Sequence, residues 1–324
     1  MKALETPTVQ ARTSAMRIRA LVVSIVGLVV LVGVILFANP GQVAAKLSGA
    51  KPGLLVLAVG GILASTLLGG MNSYLMAAPG SALGFKRFFS AYWVAWAFGQ
   101  VLPGQVGDLV GMSLFLKRRG LALPVAVGRL GVDKLISLFC TLLLSAGLLL
   151  VVATPLARFA GLAGAVAAAA LIMAYAMSTR WKGTITSGHG VRAHLVSSML
   201  EAHRVVATRP RAVLANIFLS FVKLFVVGGC YWAVLHALHS APGNLFDITV
   251  MANSAGLIAY IPISANGVGT VEAGGLYLFG LRGVSAATVV ATYLVLRFAN
   301  LALAWVGAAL VLLAGLWRRQ NVQS

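Results

Sequence analysis

The chain has 324 residues, of which 60% are hydrophobic and 10% are charged. A water-soluble domain of this length does not bury so large an apolar share, so the composition excludes that class and predicts a polytopic membrane protein. The net charge of +19 would suit a nucleic-acid-binding protein, but the basic residues flank apolar segments, and we expect no nucleic-acid partner.

Eight apolar segments are long enough to enter or cross a bilayer. Six are continuous: residues 20–37, 53–76, 123–152, 156–177, 211–238 and 286–316. Two more, 88–116 and 245–281, contain Pro and Gly breaks. The sequence therefore predicts an all-α polytopic membrane protein of about eight membrane units, two of them interrupted or re-entrant. We interpret the first segment as an uncleaved helix, because no convincing small-residue cleavage site follows it.

The basic residues also predict an orientation, since Lys and Arg collect in cytoplasmic loops. They place both termini on the cytoplasmic side of an inner (plasma) membrane. The first interrupted unit then enters from the cytoplasm and the second from outside, so the two halves have inverted topology. If either interrupted unit instead spans the membrane fully, the number of membrane crossings and the predicted orientation change.

One transmembrane domain is predicted between two short cytoplasmic ends. It covers 20–316, after an N-terminal segment 1–19 and before a tail 317–324. Its halves, 20–177 and 211–316, are joined by a hydrophilic linker, 178–210. Apolar residues recur in the linker at helical spacing, which fits a basic amphipathic helix on the inner leaflet or an ordinary connector helix with a solvated face.

The two breaks have similar sequences. The first, LPGQVGD, ends at Asp108, and the second, IPISANGVGTVE, ends at Glu272. Irregular backbone and a carboxylate are costly in lipid unless protein or a water-filled cavity satisfies them, and breaks at matching positions of two halves indicate a transport site. Glycine permits close approach of a ligand, and the helix N-termini that follow suit phosphate. The candidate turn residues are Pro103, Gly104, Gly107, Pro262, Asn266, Gly267 and Gly269.

Charged residues within the continuous segments complete the candidate site. Asp133, Lys223 and Arg297 lie about 15–17 Å inside their helix ends, close to the middle of the bilayer. Arg129 shares a helix face with Asp133, so we expect the two to form an ion pair, although Asp133 would equally neutralise Lys134. The three intramembrane carboxylates oppose four cations, and the excess positive charge favours an anionic substrate such as a lipid phosphate.

Signatures of catalysis and of metal binding are missing from the sequence. It contains no P-loop, G-x-S-x-G, H-E-x-x-H or C-x-x-C motif. Cys140 and Cys230 lie in separate apolar segments and are expected to be unpaired. We therefore expect no cofactor, no metal and no enzymatic activity.

These residues resemble the transmembrane region of lysylphosphatidylglycerol synthases and its stand-alone, flippase-like relatives. The first signature of that family is similar to Pro103-Gly104 with Gly107-Asp108, then Arg119-Gly120, Arg129 and Asp133. The second is similar to Pro262, Gly267, Gly269 and Glu272, followed by Arg297. The family has a glutamate beside Arg129 where this chain has Gly128. Because the chain ends at Ser324 without an aminoacyl-transferase domain, we expect that it does not make lysylphosphatidylglycerol.

The resemblance implies lipid translocation, or an accessory role in pathways that use lipid-linked sugars or isoprenoid lipids. We expect a non-enzymatic inner-membrane flippase that moves an anionic lipid or a lipid-linked (isoprenoid or glycolipid) intermediate between leaflets. Its expected partners are membrane lipids, including polyprenyl-phosphate-linked ones, with a homo-oligomer or a biosynthetic enzyme as further options. Two alternatives remain: an accessory partner of a lipid or glycan biosynthetic enzyme, and a membrane glycosyltransferase that uses Asp108 or Glu272 as a base.

Overall fold

A computed structural model describes residues 24–78, 83–100, 107–151, 154–178, 191–261 and 263–323. The regular elements within these ranges are helices. In chain order they are α1 (Ser24–Phe37), α2 (Pro40–Ser48), α3 (Pro52–Ala77), α4 (Phe85–Gly99), α5 (Gly107–Arg118), α6 (Leu123–Ser145), α7 (Leu148–Val151), α8 (Pro155–Ser178), α9 (Val191–Thr208), α10 (Pro210–Ala237), α11 (Leu245–Gly256), a 3-10 turn (Leu257–Tyr260), α12 (Thr270–Gly280) and α13 (Ala286–Gln323).

Several of these helices are long and apolar enough to cross a membrane. Among the described residues they are α3, α10 and the first 29 residues of α13, with α1 and α2 as a fourth span if the bent pair is counted as one. The bend between α1 and α2 is 78°. Asn39 makes it with a φ of 61°, and its side chain accepts a hydrogen bond from Gly41 N at 3.1 Å. The predicted all-helical membrane protein is confirmed.

Both interrupted segments consist of short helices. The first contains α4, of 15 residues, and α5, of 12 residues. The second contains α11 with its 3-10 extension, and then α12, of 11 residues. Helices of this length extend only about 16–24 Å, less than the ~30 Å thickness of the hydrocarbon core.

The third continuous segment differs from its prediction. Instead of one helix over 123–152, α6 ends at Ser145 and α7 follows a turn at Gly147. A Cβ at Gly147 would lie 3.0 Å from Val250 Cγ2, so the small residue lets α11 pack against the turn. Tertiary packing therefore ends a helix that hydrophobicity alone would extend.

The centre of the fold is the pair α3 and α10, which pack together along their length. Small residues bring the two helices close, since a Cβ at Gly61 would lie 2.5 Å from Cys230 Sγ. Cys140 and Cys230 are both buried and free, as expected. This pair positions residues from both halves around one central cavity.

Helix α9 forms the described part of the linker and packs against α6. It buries Glu201 and Val205 on the α6 side and exposes Leu195 and Met199 on the other side. The helix is therefore docked on the bundle rather than only solvated. Its position on the inner leaflet stays a prediction.

Candidate functional site

A cavity of about 320 Å³ lies between the two interrupted segments. Its wall is built by residues of α3, α4, α5 and α6 from the first half and of α10, α11, the second turn, α12 and α13 from the second half, so it joins the two halves of the chain. The charged and amide side chains on the wall are Gln100, Asp108, Lys134, Lys223, Asn266, Arg297 and Asn300. Four of the predicted site residues with polar side chains, Asp108, Lys223, Asn266 and Arg297, are thus brought together.

The first turn places Asp108 at the start of α5. Its Oδ1 accepts a hydrogen bond from Leu109 N at 2.8 Å, and its Oδ2 accepts one from Lys134 Nζ of α6. Gly107, the first residue of α5, also lines the cavity. The first carboxylate is therefore neutralised by a cation on the next described helix.

The second turn places Glu272 at the start of α12, where its side chain is 1% exposed. Arg297 donates from Nε at 2.7 Å and from Nη2 at 2.6 Å, and both bonds end on Glu272 Oε1. The other carboxylate oxygen, Oε2, is buried and has no hydrogen-bond partner within the described part of the chain. Oε1 thus accepts both contacts of the ion pair, and Oε2 accepts neither.

Backbone conformation explains the glycines of this turn. Gly267 has φ 70° and Gly269 has φ 79°, values that side chains other than glycine rarely adopt. At Gly269 a Cβ would also lie 2.6 Å from Gly27 O of α1. Both glycines are therefore needed for this turn to fold against α1.

The repeat noted in the sequence extends to the cations. Lys134 follows Asp108 by 26 residues, and Arg297 follows Glu272 by 25 residues. Each turn carboxylate therefore pairs with a basic residue one helix later. From the sequence, Lys134 was considered only as a partner of Asp133, although the nearly equal spacing was a usable signal for its pairing with Asp108.

The second turn also contacts the end of α4 directly. Asn266 Nδ2 donates a hydrogen bond to Gln100 Oε1 at 3.0 Å, which links the end of α4 to the second turn. Gln100 was not among the predicted residues. An amide side chain that precedes each carboxylate in sequence was the available signal, and the contact links the two interrupted segments.

Lys223 differs from the other cations of the cavity. It forms no salt bridge with any carboxylate that the structure describes, whereas Lys134 and Arg297 each have one. Gly69 of α3 makes room for it, because a Cβ there would lie 3.3 Å from Lys223 Nζ and 2.5 Å from Tyr92 Oη. A lysine side chain without a salt bridge among the described residues therefore faces the cavity.

Arg129 and Asp133 do not pair with each other as predicted. Arg129 Nε pairs with Glu201 Oε1 of α9 at 2.8 Å, and Asp133 accepts hydrogen bonds from Ser73 Oγ at 2.7 Å and Asn216 Nδ2 at 3.0 Å. Neither residue belongs to the cavity wall. The expected ion pair was wrong because α9 and α10 supply competing partners, which helical spacing does not reveal.

Three predicted turn residues, Pro103, Gly104 and Pro262, lie outside the described residues. Within the ranges that are described, no group of three or more His, Cys, Asp or Glu side chains is placed to hold a metal.

A comparison with known families bears on this site. The family model of the lysylphosphatidylglycerol synthase transmembrane region matches residues 24–319, which include both turns and both cation partners. The chain belongs to this family. No curated protein and no solved structure matches it.

Gly128 stands where the resemblance described above led us to expect a glutamate. The structure brings the carboxylate of Glu201 to Arg129 from the linker helix instead. A Cβ at Gly128 would collide with the Ser198 carbonyl and lie 3.0 Å from Glu201 Cβ. The missing side chain is therefore what lets α9 approach, and a carboxylate still reaches Arg129.

Glu201 also changes the count of interior charges. The predicted excess of one cation left out this residue, which the sequence places in the hydrophilic linker. With it, four carboxylates oppose four cations in the described interior: Asp108, Asp133, Glu201 and Glu272 against Arg129, Lys134, Lys223 and Arg297. These interior charges balance in number, but at the cavity the carboxylates of Asp108 and Glu272 oppose three cations, Lys134, Lys223 and Arg297.

Proposed function

We propose that the protein is a non-enzymatic flippase that moves an anionic lipid, or a lipid-linked isoprenoid or glycolipid intermediate, between membrane leaflets. The observation that supports this most is Lys223. An ammonium group without an ion pair faces a cavity that both interrupted segments line. A buried cation of this kind is costly unless an anion meets it, and a phosphate headgroup would supply that anion.

The proposed topology has about eight membrane units, with the two interrupted units re-entrant from opposite faces of the plasma membrane and both termini in the cytoplasm. Support comes from the short helices of both segments and from the spacing of 26 and 25 residues between carboxylate and cation. Two inverted halves around one site allow alternating access.

In this proposal the headgroup phosphate binds Lys223 first. Lys134 and Arg297 then leave their carboxylate partners and bind the phosphate instead, because both cations already reach the cavity wall. Asp108 and Glu272 act as gates, since each ion pair closes when the phosphate leaves. The Gln100–Asn266 hydrogen bond holds the end of α4 against the second turn before the headgroup binds.

The test is leaflet movement of fluorescent phosphatidylglycerol and of a fluorescent polyprenyl phosphate in proteoliposomes. We expect Lys223→Gln to slow movement about tenfold or more, equivalent to ~1.4 kcal/mol in the barrier. The matched control is Lys86→Gln, which removes the same charge from an exposed position at the start of α4. Equal rates in both variants, or no movement by the unmodified protein, would refute the proposal.

A further inference from the structure

The Glu272–Arg297 ion pair constrains what can accompany the lipid. The Glu272 side chain is 1% exposed, and Arg297 is its only salt-bridge partner among the described residues. When Arg297 moves to a phosphodiester headgroup, the buried carboxylate loses its counter-charge. A buried charge without a partner is expensive, so a proton must replace the guanidinium at this carboxylate.

One carboxylate is distinguished from the other three as a place for that proton. Both oxygens of Asp108 accept hydrogen bonds, from Leu109 N and Lys134, and both oxygens of Asp133 do so as well. Glu201 has one basic partner on each oxygen, with Arg204 at 4.0 Å from Oε2. Glu272 alone among these four leaves an oxygen, Oε2, buried without a partner.

The surroundings of Glu272 agree with this assignment. Its facing groups are Arg297 and Tyr293 of α13 and Tyr231 of α10, and the two tyrosine rings contact each other at 5.2 Å. Asp247 of α11 pairs with Arg282 beyond the other end of α12. A single guanidinium therefore competes with a proton for Glu272.

We propose that Glu272 takes up one proton when an anionic headgroup binds, so that lipid and proton cross together without net movement of charge. The proposal rests on the proposed flippase function. The proton adds to Oε2, the neutral carboxyl releases Arg297, and the guanidinium binds the phosphate. When the lipid leaves in the other leaflet, the proton leaves too and Glu272 pairs again with Arg297.

The first experiment counts protons on binding. Purified full-length protein is titrated by calorimetry at neutral pH in two buffers of different ionisation enthalpy. The probes are dioctanoyl phosphatidylglycerol, farnesyl phosphate and zwitterionic dioctanoyl phosphatidylcholine. For either anionic probe, we expect the unmodified protein to take up about one proton more than Glu272→Gln. Asp247→Asn is the matched control and should keep the full uptake, and phosphatidylcholine should cause none.

The second experiment uses proteoliposomes. We expect a pH gradient to drive movement of fluorescent phosphatidylglycerol and a membrane potential to leave its rate unchanged. If Glu272→Gln does not fold, Glu272→Gln/Arg297→Gln replaces it, because this variant leaves no buried cation unpaired.

The outcomes separate the two proposals. If neither anionic probe binds, the flippase function fails and proton coupling fails with it. If a probe binds without linked protons, if uptake persists without the Glu272 carboxylate, or if movement follows the membrane potential, proton coupling is wrong and the flippase function stands.

Discussion

Replacing Gly128 by alanine tests the docking of the linker helix. Gly128 lies on α6 where α9 passes closest, and an added Cβ would collide with the Ser198 carbonyl and lie 3.0 Å from Glu201 Cβ. Both groups are constrained, one by the α9 backbone and the other by its ion pair with Arg129. Alanine should therefore push α9 away from α6.

The control lies one turn along the same helix. A Cβ at Gly131 would meet nothing within 4 Å. Alanine is favoured over glycine in a helix by about 1 kcal/mol, so Gly131→Ala should be stabilising. Gly128→Ala has the same propensity gain, and the difference between the two variants isolates the clash, which should cost ~1–3 kcal/mol.

Equilibrium unfolding in mixed micelles measures both variants against the unmodified protein. We expect Gly131→Ala to raise the free energy of unfolding and Gly128→Ala to lower it or leave it almost unchanged. Adding Glu201→Gln should destabilise the Gly131→Ala background more than the Gly128→Ala background, because the second has already strained the ion pair. Equal stability of the two alanine variants would refute the close contact between α6 and α9.

Two further predictions concern the cavity wall. Glu272→Ala should cost about 3–5 kcal/mol of unfolding free energy, because it leaves a buried guanidinium unpaired, and adding Arg297→Ala should restore most of the loss. Additive costs in this double-mutant cycle would contradict the pairing. Gly69→Ala should weaken phosphatidylglycerol binding in calorimetry about tenfold by displacing the ammonium group beside it, a change of ~1.4 kcal/mol. Gly60→Ala on the same helix meets nothing within 4 Å and should bind normally, so equal affinities of the two variants would argue against the assigned headgroup site.

Much of the architecture could be predicted from local sequence. Apolar length located α3 and α10 within one residue at each end, because a run of about 20 apolar residues in lipid has no stable alternative to a helix. The turn before Glu272 was predicted for a similar reason, since proline and glycine interrupt the helix and glycine readily adopts the positive φ found at Gly267 and Gly269. Asp108 and Glu272 were predicted as site residues from the same pattern.

Of the two cations that pair with these carboxylates, only Arg297 was predicted as a site residue from local sequence, and Lys134 was not. Lys134 and Arg129 are five residues apart on one helix, so they point about 140° away from each other. Because they are close in sequence, both were predicted to belong to one cluster of charges. In the structure Lys134 faces the cavity, whereas Arg129 faces the linker helix. Which side of α6 faces which neighbour depends on packing and not on its own residues.

The sequence by itself determined that this is a helical membrane protein with two interrupted segments, each with a carboxylate directly after its break, because the cost of polar groups in lipid acts on every residue locally. Only the tertiary structure decided which charges meet. In it Gln100 at the end of α4 contacts Asn266 of the second turn, Glu201 of the linker helix pairs with Arg129, and Lys223 faces the cavity. Ion pairs form between helices far apart in the chain, so their pattern depends on how α3, α6, α9 and α10 pack.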